Sequence, residues 1–276
     1  MTSEIEAGPG DSWAGLRVLV LSPVPTWPVT FGNRNRIVQV NRALQREGAH
    51  VALLHYPSDE EWRTRLPRQA MAEMARQWQE VFHCPVTRPL HTRPSAGPDH
   101  AIDDWWDPAI GQMLDWLFKV GRYDALLVNY TWLSKALEHA PLGVLRILDT
   151  HDRFSGRRDL LAAHGLAPEY FHTTEDQERL ALDRADLVWA IKDQEAEFFR
   201  TLTRRPVQTL LHMEPPAAPA PHQQHPSLPG SGGPVSAPHI AADRDRGGGV
   251  GLQPARRVAP AVSAAARHGR EHGHAL

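Results

Sequence analysis

The strongest constraint on the fold of this chain is an alternation. Seven short apolar runs recur between residues 16 and 211, and segments with helical spacing separate them. The runs are 16–22 (LRVLVLS), 50–55 (HVALLH), 81–86, 124–129 (DALLVN), 145–149 (LRILD), 187–191 (LVWAI) and 207–211. Such short, β-branched-rich runs bounded by turns are the mark of strands buried on both faces. Between the first two, 34–47 (RNRIVQVNRALQRE) places Ile37, Val40, Ala43 and Leu44 on one helical face and stops at Gly48. Helical patterns also cover 59–81, with Pro67 opening a second segment, then 108–120, 131–139, 156–164, 175–185 and 193–201. Thr174 and Gln177 offer a capping box for the helix at 175–185, and 88–100 reads as a loop. Strands that alternate with helices demand right-handed crossovers and a mainly parallel sheet. The prediction is therefore an α/β protein with a Rossmann-like, doubly wound, mainly parallel sheet.

The alternation stops near Glu214, and composition says why. All 9 Trp, 7 Phe, 4 Tyr and 3 Lys precede residue 215, whereas the last 62 residues carry 13 Ala, 10 Pro, 9 Gly and 6 His. Only eight Leu, Ile or Val remain there. Burying each returns about 1.5–3 kcal/mol, while ordering each backbone unit costs about 1–2 kcal/mol. The expected organisation is a flexible N-terminus over 1–14, one domain over 15–214, and a disordered Pro/Ala/Gly/His-rich tail over 215–276.

Charge and cysteine content narrow the function classes. The formal net charge is −2, so no basic excess points to nucleic acid. The start, MTSEIEAGPGDSW, is acidic and lacks the apolar stretch of a signal peptide. No run approaches the roughly 18 apolar residues of a membrane span. A lone Cys84 excludes an internal disulfide and fits a reducing cytoplasm.

In open parallel sheets ligands bind outside the carboxyl ends of the strands, at a topological switch point. Three strand exits carry polar chemistry. At the first, Phe31-Gly32-Asn33 precedes the helix at 34–47. Gly32 permits close backbone approach, the helix start offers unpaired N–H groups to an anion, and Arg34 and Arg36 add charge-assisted bonds to phosphate or carboxylate. The plainer alternative is that Gly32 and Asn33 serve only a turn and cap. At the second exit stand Asp149, Thr150, His151 and Asp152. His151 could act as a general base or bind a hydroxyl, with both carboxylates orienting it or a sugar hydroxyl. Alternatively Asp152 caps the next helix and His151 is a solvated loop residue. The third exit, Asn129-Tyr130-Thr131-Trp132, offers an amide, a phenol and an indole, a set suited to carbohydrate; its alternative is that Tyr130 and Trp132 are core.

Other features point away from chemistry. No GxGxxG and no GxxxxGK[ST] occurs at the first exit, which disfavours a nicotinamide enzyme or a P-loop NTPase. The absence of a G-x-S-x-G elbow disfavours a serine hydrolase. In Asp103-Asp104-Trp105-Trp106-Asp107 the tryptophans call for burial and Asp107 can cap the following helix. Cys84 reads as core. His222…His225 and His268…His274 lie among Pro and Gly that fix no metal geometry, so no metal and no cofactor are expected.

Taken together, RVLVLSPVPTWPVTFGNRNRIVQVNRALQREGAHVALLH, YDALLVNYTWLSKAL, ADLVWAIKDQEAEFFR and LLHMEPP resemble, in order and spacing, the N-terminal domain of GT-B-fold glycosyltransferases of family four, the group 1 set. The similarity spans about residues 15–216. It implies one half of a two-domain enzyme that moves a sugar from a nucleotide-sugar to an acceptor, usually without a metal, with the donor a substrate rather than a cofactor. By position, Gly32 and Asn33 would lie beside donor phosphates and acceptor. His151, with Asp149 and Asp152 as neighbours, would lie where the family gathers active-site polar groups.

The family's second domain, with its E-x7-E donor motif, has no counterpart after Pro216. The resemblance thus implies a chain that is truncated, or whose reading frame was lost near Glu214, and that is inactive or weakly active alone. A partner chain carrying the donor domain would make it half of a split enzyme. The competing reading is a non-catalytic Rossmann-like module that binds a sugar phosphate or nucleotide.

Overall fold

The computed structural model describes residues 13–57, 68–88, 95, 97–168 and 170–211. The expected helix over 59–67, the loop residues 89–94, both histidine motifs and the whole of 215–276 lie outside the described residues.

Among the described residues seven strands form one sheet: β1 (Arg17–Ser22), β2 (His50–His55), β3 (Glu80–His83), β4 (Ala125–Asn129), β5 (Leu145–Asp149), β6 (Leu187–Ala190) and β7 (Val207–Thr209). Every strand pairing is parallel, and the order is β3-β2-β1-β4-β5-β6-β7. The chain winds outward from β1 to β3, crosses back to lay β4 on the other side of β1, and winds outward again. The switch point therefore lies between β1 and β4. The α/β class and the doubly wound parallel sheet are as the alternation requires.

The helices are α1 (Gly32–Arg46), α2 (Arg68–Gln77), α3 (Pro108–Val120), α4 (Arg157–Ala163), α5 (Glu175–Asp183) and α6 (Asp193–Leu202), with a 3-10 helix over Thr131–His139. Strand side chains alternate between faces. Leu19, Leu21, Leu54, Leu126, Val128, Leu148 and Val188 face α3, the 3-10 helix, α5 and α6. Val18, Val20, Val51, Leu53, Leu127, Ile147 and Trp189 join Ile37 and Leu44 of α1, Met74 of α2, and Trp13 and Trp78 on the other face.

Three local differences from the sequence pattern have physical causes. The helix expected to run to residue 81 ends at Gln77, because Glu80–His83 pairs with β2 in the register Ala52↔Glu80 to His55↔His83. The third strand ends before Cys84, whose N–H bonds the His55 carbonyl at 2.9 Å and whose thiol burial, with Asp107 nearby, pushes up to about 12. The capping box is half made. Thr174 accepts from the Gln177 N–H, but the Gln177 side chain accepts from the N–H of Ile102 at 2.8 Å instead of returning to Thr174.

Asp107 is structural, as its helix-start position suggests. It caps α3 through the N–H of Ala109 and also accepts from Tyr56 Oη at 3.1 Å and the N–H groups of Thr87 and Arg88 at 2.8 and 2.9 Å. Burial raises its pKa, yet hydrogen bonds from the Thr87 hydroxyl and from the N–H groups of Ala109, Arg88 and Thr87 outweigh burial, and the net shift is downward.

Candidate functional site

The strand register sets a polar row along the carboxyl edge of the sheet. Ser22 lies beside His55, Asn129 beside Asp149, and His55 beside His83. Period-two alternation puts Ser22, His55, Asn129 and Asp149 on the α1 side, since Leu21, Leu54, Val128 and Leu148 pack on the other face. Ser22, His55, Asn129 and Asp149 are all buried. Helix α1 starts above this row and supplies Arg36, the cation that pairs with Asp149.

At its centre Arg36 grips Asp149 with a two-pronged contact, Nε to Oδ2 at 2.9 Å and Nη2 to Oδ1 at 2.8 Å. Both side chains are at most 4% exposed. The remaining arm, Nη1, donates to the Leu210 carbonyl at 2.6 Å, just past β7. A fork pairing of this kind satisfies a buried carboxylate in both charge and direction. Arg36, expected as an anion ligand, therefore spends its donors inside the protein and fastens α1, β5 and the chain after β7 together.

His151 stands over this pair. Its Nε2 is 2.8 Å from Asn129 Oδ1 and 3.8 Å from Asp149 Oδ2. Its ring stacks on Tyr130 with centroids 4.2 Å apart and planes 12° from parallel. Burial lowers its pKa to about 4; Asp149 opposes the shift and Arg36 adds to it. The alternative of a solvated loop histidine is thus replaced by a buried, neutral one. Both strand exits here turn through left-handed backbone, with φ of 73° at Tyr130 and 62° at His151. For non-glycine residues such a conformation costs about 1–3 kcal/mol and persists only where the surroundings enforce it.

The other expected residues divide by place. Gly32 and Asn33 lie in the first turn of α1, not in a turn preceding it. A Cβ built on Gly32 would meet nothing within 4 Å, so its flank is open to an approaching group. The Asn33 amide nitrogen donates to Tyr130 Oη at 2.9 Å, and its oxygen accepts from the Arg34 N–H at 2.8 Å. Arg34 donates to the Pro28 carbonyl at 3.3 Å and lies 4.8 Å over the Phe31 ring. Asp152 is exposed, pairs with Arg157 at 3.8 Å and does not cap α4, whose N-cap is the left-handed Gly156. The structure thus joins Asn33, Tyr130, His151, Asn129, Asp149 and Arg36 into one bonded set, and it leaves Asp152 outside it. Trp132 is fully buried, as its core alternative held.

Two contributors escaped the sequence reading. Glu178 of α5 is fully buried and accepts from the N–H groups of Phe154 and Ser155 at 2.9 and 3.2 Å and from Ser155 Oγ. It clamps the loop that carries His151, and burial raises its carboxyl pKa against those bonds. His55 is sealed at the β2 exit, its Nδ1 3.4 Å from His83 Nδ1. Burial, His83 and Arg34 lower its pKa to about 3. Glutamate inside an ordinary helical pattern gives no sequence signal, whereas a histidine closing the apolar run HVALLH does.

Among the described residues no group of three or more His, Cys, Asp or Glu is placed to hold a metal, and no helix is long and apolar enough to cross a membrane.

No family model and no curated protein matches the sequence. Among solved structures the chain is similar to sucrose-phosphate synthase from Thermosynechococcus elongatus, with TM-score 0.48 and 13% identity over 71% of this chain and 48% of that one. It is also similar to the N-terminal domain of Candida albicans trehalose-6-phosphate phosphatase (TM-score 0.46, 13% identity, 76% and 50% covered). A third is a ugt transferase from Siraitia grosvenorii in complex with UDP (TM-score 0.40, 14% identity, 71% and 50% covered). The chain spans about half the length of these structures.

Proposed function

We propose that this chain is the acceptor-side half of a glycosyl-transfer enzyme that takes its sugar from a nucleotide-sugar. The observation that supports this reading most is the strained, buried His151 at the exit of β5, held between Asn129 and Tyr130 and backed by the Arg36–Asp149 pair. A neutral imidazole with a fixed ring plane is suited to take a hydrogen bond or a proton from a sugar or acceptor hydroxyl. Asp149 balances charge behind the ring rather than meeting the substrate. The open flank of Gly32, next to the first N–H groups of α1, is where donor phosphates would come closest. Arg34 in the same turn of α1 would border that space, while Asn33 would steer Tyr130.

A glycosyl transition state needs the donor phosphates held by preorganised charge on the far side of the cleft. With Arg36 already committed to Asp149, this half offers little of that charge. The proposal therefore includes a donor-binding half across the cleft, and weak or no turnover without it. The test is isothermal titration of the chain with nucleotides and nucleotide-sugars, beside an assay for nucleoside diphosphate release. Binding without turnover supports the half-enzyme reading. Turnover lost in His151→Ala would show that this domain suffices alone. Absence of binding to every nucleotide and to hydroxyl-bearing acceptors alike would overturn the reading in favour of a module for another ligand.

A further inference from the structure

The Asn129 amide decides which nitrogen of His151 is available to a ligand. A backbone carbonyl can only accept, and the Leu21 carbonyl lies 2.9 Å from one end of the Asn129 amide. That end must be the nitrogen. The amide oxygen is then turned to His151 Nε2, 2.8 Å away. An amide oxygen carries no proton, so a hydrogen bond at this distance requires the proton on Nε2. The Asp149 carboxylate, 3.8 Å from the same nitrogen, favours a proton there too. Stacking on Tyr130 fixes the plane of the ring, and the Asn129 bond fixes its rotation within that plane. Nδ1 keeps the lone pair, and among the described residues no group takes it up.

We propose that Asn129 is a positioning residue: it locks neutral His151 as the Nε2–H tautomer, so that Nδ1 is the one acceptor atom the ring presents to a hydroxyl-bearing ligand. The ligand class rests on the reading given under Proposed function; the tautomer does not. The arrangement runs Leu21 carbonyl, Asn129 amide, His151 ring, ligand hydroxyl. It carries the geometry of β1 and β4 at the switch point into the direction of one lone pair. It also excludes the reverse arrangement, in which the aspartate-facing nitrogen would take the substrate proton.

The test is a 15N NMR measurement on the full chain at pH 7, with His151→Gln identifying the ring signals. The expected result is a directly observed, slowly exchanging proton on Nε2 and a pyridine-type Nδ1. In Asn129→Leu, which keeps the bulk but removes the acceptor, that proton signal is lost to exchange. In Asn129→Asp, which restores an acceptor but not the donor to Leu21, it returns. Loss of packing alone would affect both variants alike and would not be rescued. A proton found on Nδ1, or an Nε2 proton equally protected in Asn129→Leu, would overturn the proposal. Should Asn129→Leu fail to fold, Asn129→Ala, which also removes the acceptor, takes its place with the same expected loss. Failure to bind any nucleotide-sugar or hydroxyl-bearing acceptor would count against the ligand class and leave the tautomer standing.

Discussion

Two buried histidines close two strands of the same sheet, and their surroundings differ. Among the described residues His55 ends β2 with its Nε2 sealed and without a partner, and its other nitrogen meets only His83. His151 follows β5 on left-handed backbone, bonded to Asn129, stacked on Tyr130 and set over a paired Arg36 and Asp149. Burial is the largest cause that keeps both rings neutral. Only the ring after β5 is also oriented, by Asn129 at the end of β4. The lesson is that a depressed pKa marks a dry place, whereas a strained backbone with every supporting bond made marks a place built to hold a group in one direction.

The largest way to break the comparison is to remove the charge behind His151. Asp149→Ala leaves the Arg36 guanidinium buried and unpaired and should cost about 3–5 kcal/mol, read from urea denaturation midpoints. His55→Leu, similar in bulk and free of the unpartnered nitrogen, should cost far less. Equal losses would erase the distinction between the two exits. Next comes the clamp from α5. Glu178→Ala strands two buried N–H groups on the His151 loop, each worth about 1–3 kcal/mol. Hydrogen exchange should rise at Phe154 and Ser155 while the amides of β2 stay protected.

Acid should expose what the two sites share. Both histidines have folded pKa values below the usual 6.5, so the unfolded chain binds protons first as the pH falls. Their contribution is complete above about pH 6.5 and declines as the pH drops toward 4 for His151 and 3 for His55, at about 1.4 kcal/mol per pH unit for each. His55→Leu should flatten the slope of stability between pH 6 and 4.5 relative to the parent. An unchanged slope would mean that His55 is not held neutral. The smallest effect belongs to Asp152→Asn. This exposed carboxylate pairs with Arg157 only at 3.8 Å, and its removal should change stability by no more than about 0.5 kcal/mol. A large loss would bring Asp152 back among the groups that organise His151.

Much of the frame was legible in the residues. α3 and β5 begin and end where the pattern put them, at Pro108–Val120 and Leu145–Asp149, because Pro108 fixes a helix start and LRILD has no competing period. The ends of α2 and β3 were not legible, since pairing with β2, rather than any signal near Gln77, decides where the helix stops. At the site, the Asn129, Asp149 and His151 cluster was visible as polar residues crowding strand ends. Which of them touch was not visible.

The sequence by itself determined the α/β class, the parallel sheet and the polar strand exits, because apolar periodicity and turn residues act over a few neighbours along the chain. Only the tertiary structure decided that Arg36 serves Asp149 rather than a ligand, that Asp152 stands apart, that Glu178 clamps the loop, and that Asn129 sets the His151 tautomer. Those choices follow from strand register and from where α1 begins above the sheet. They join residues up to 113 positions apart, a separation at which local pattern carries no information about contact.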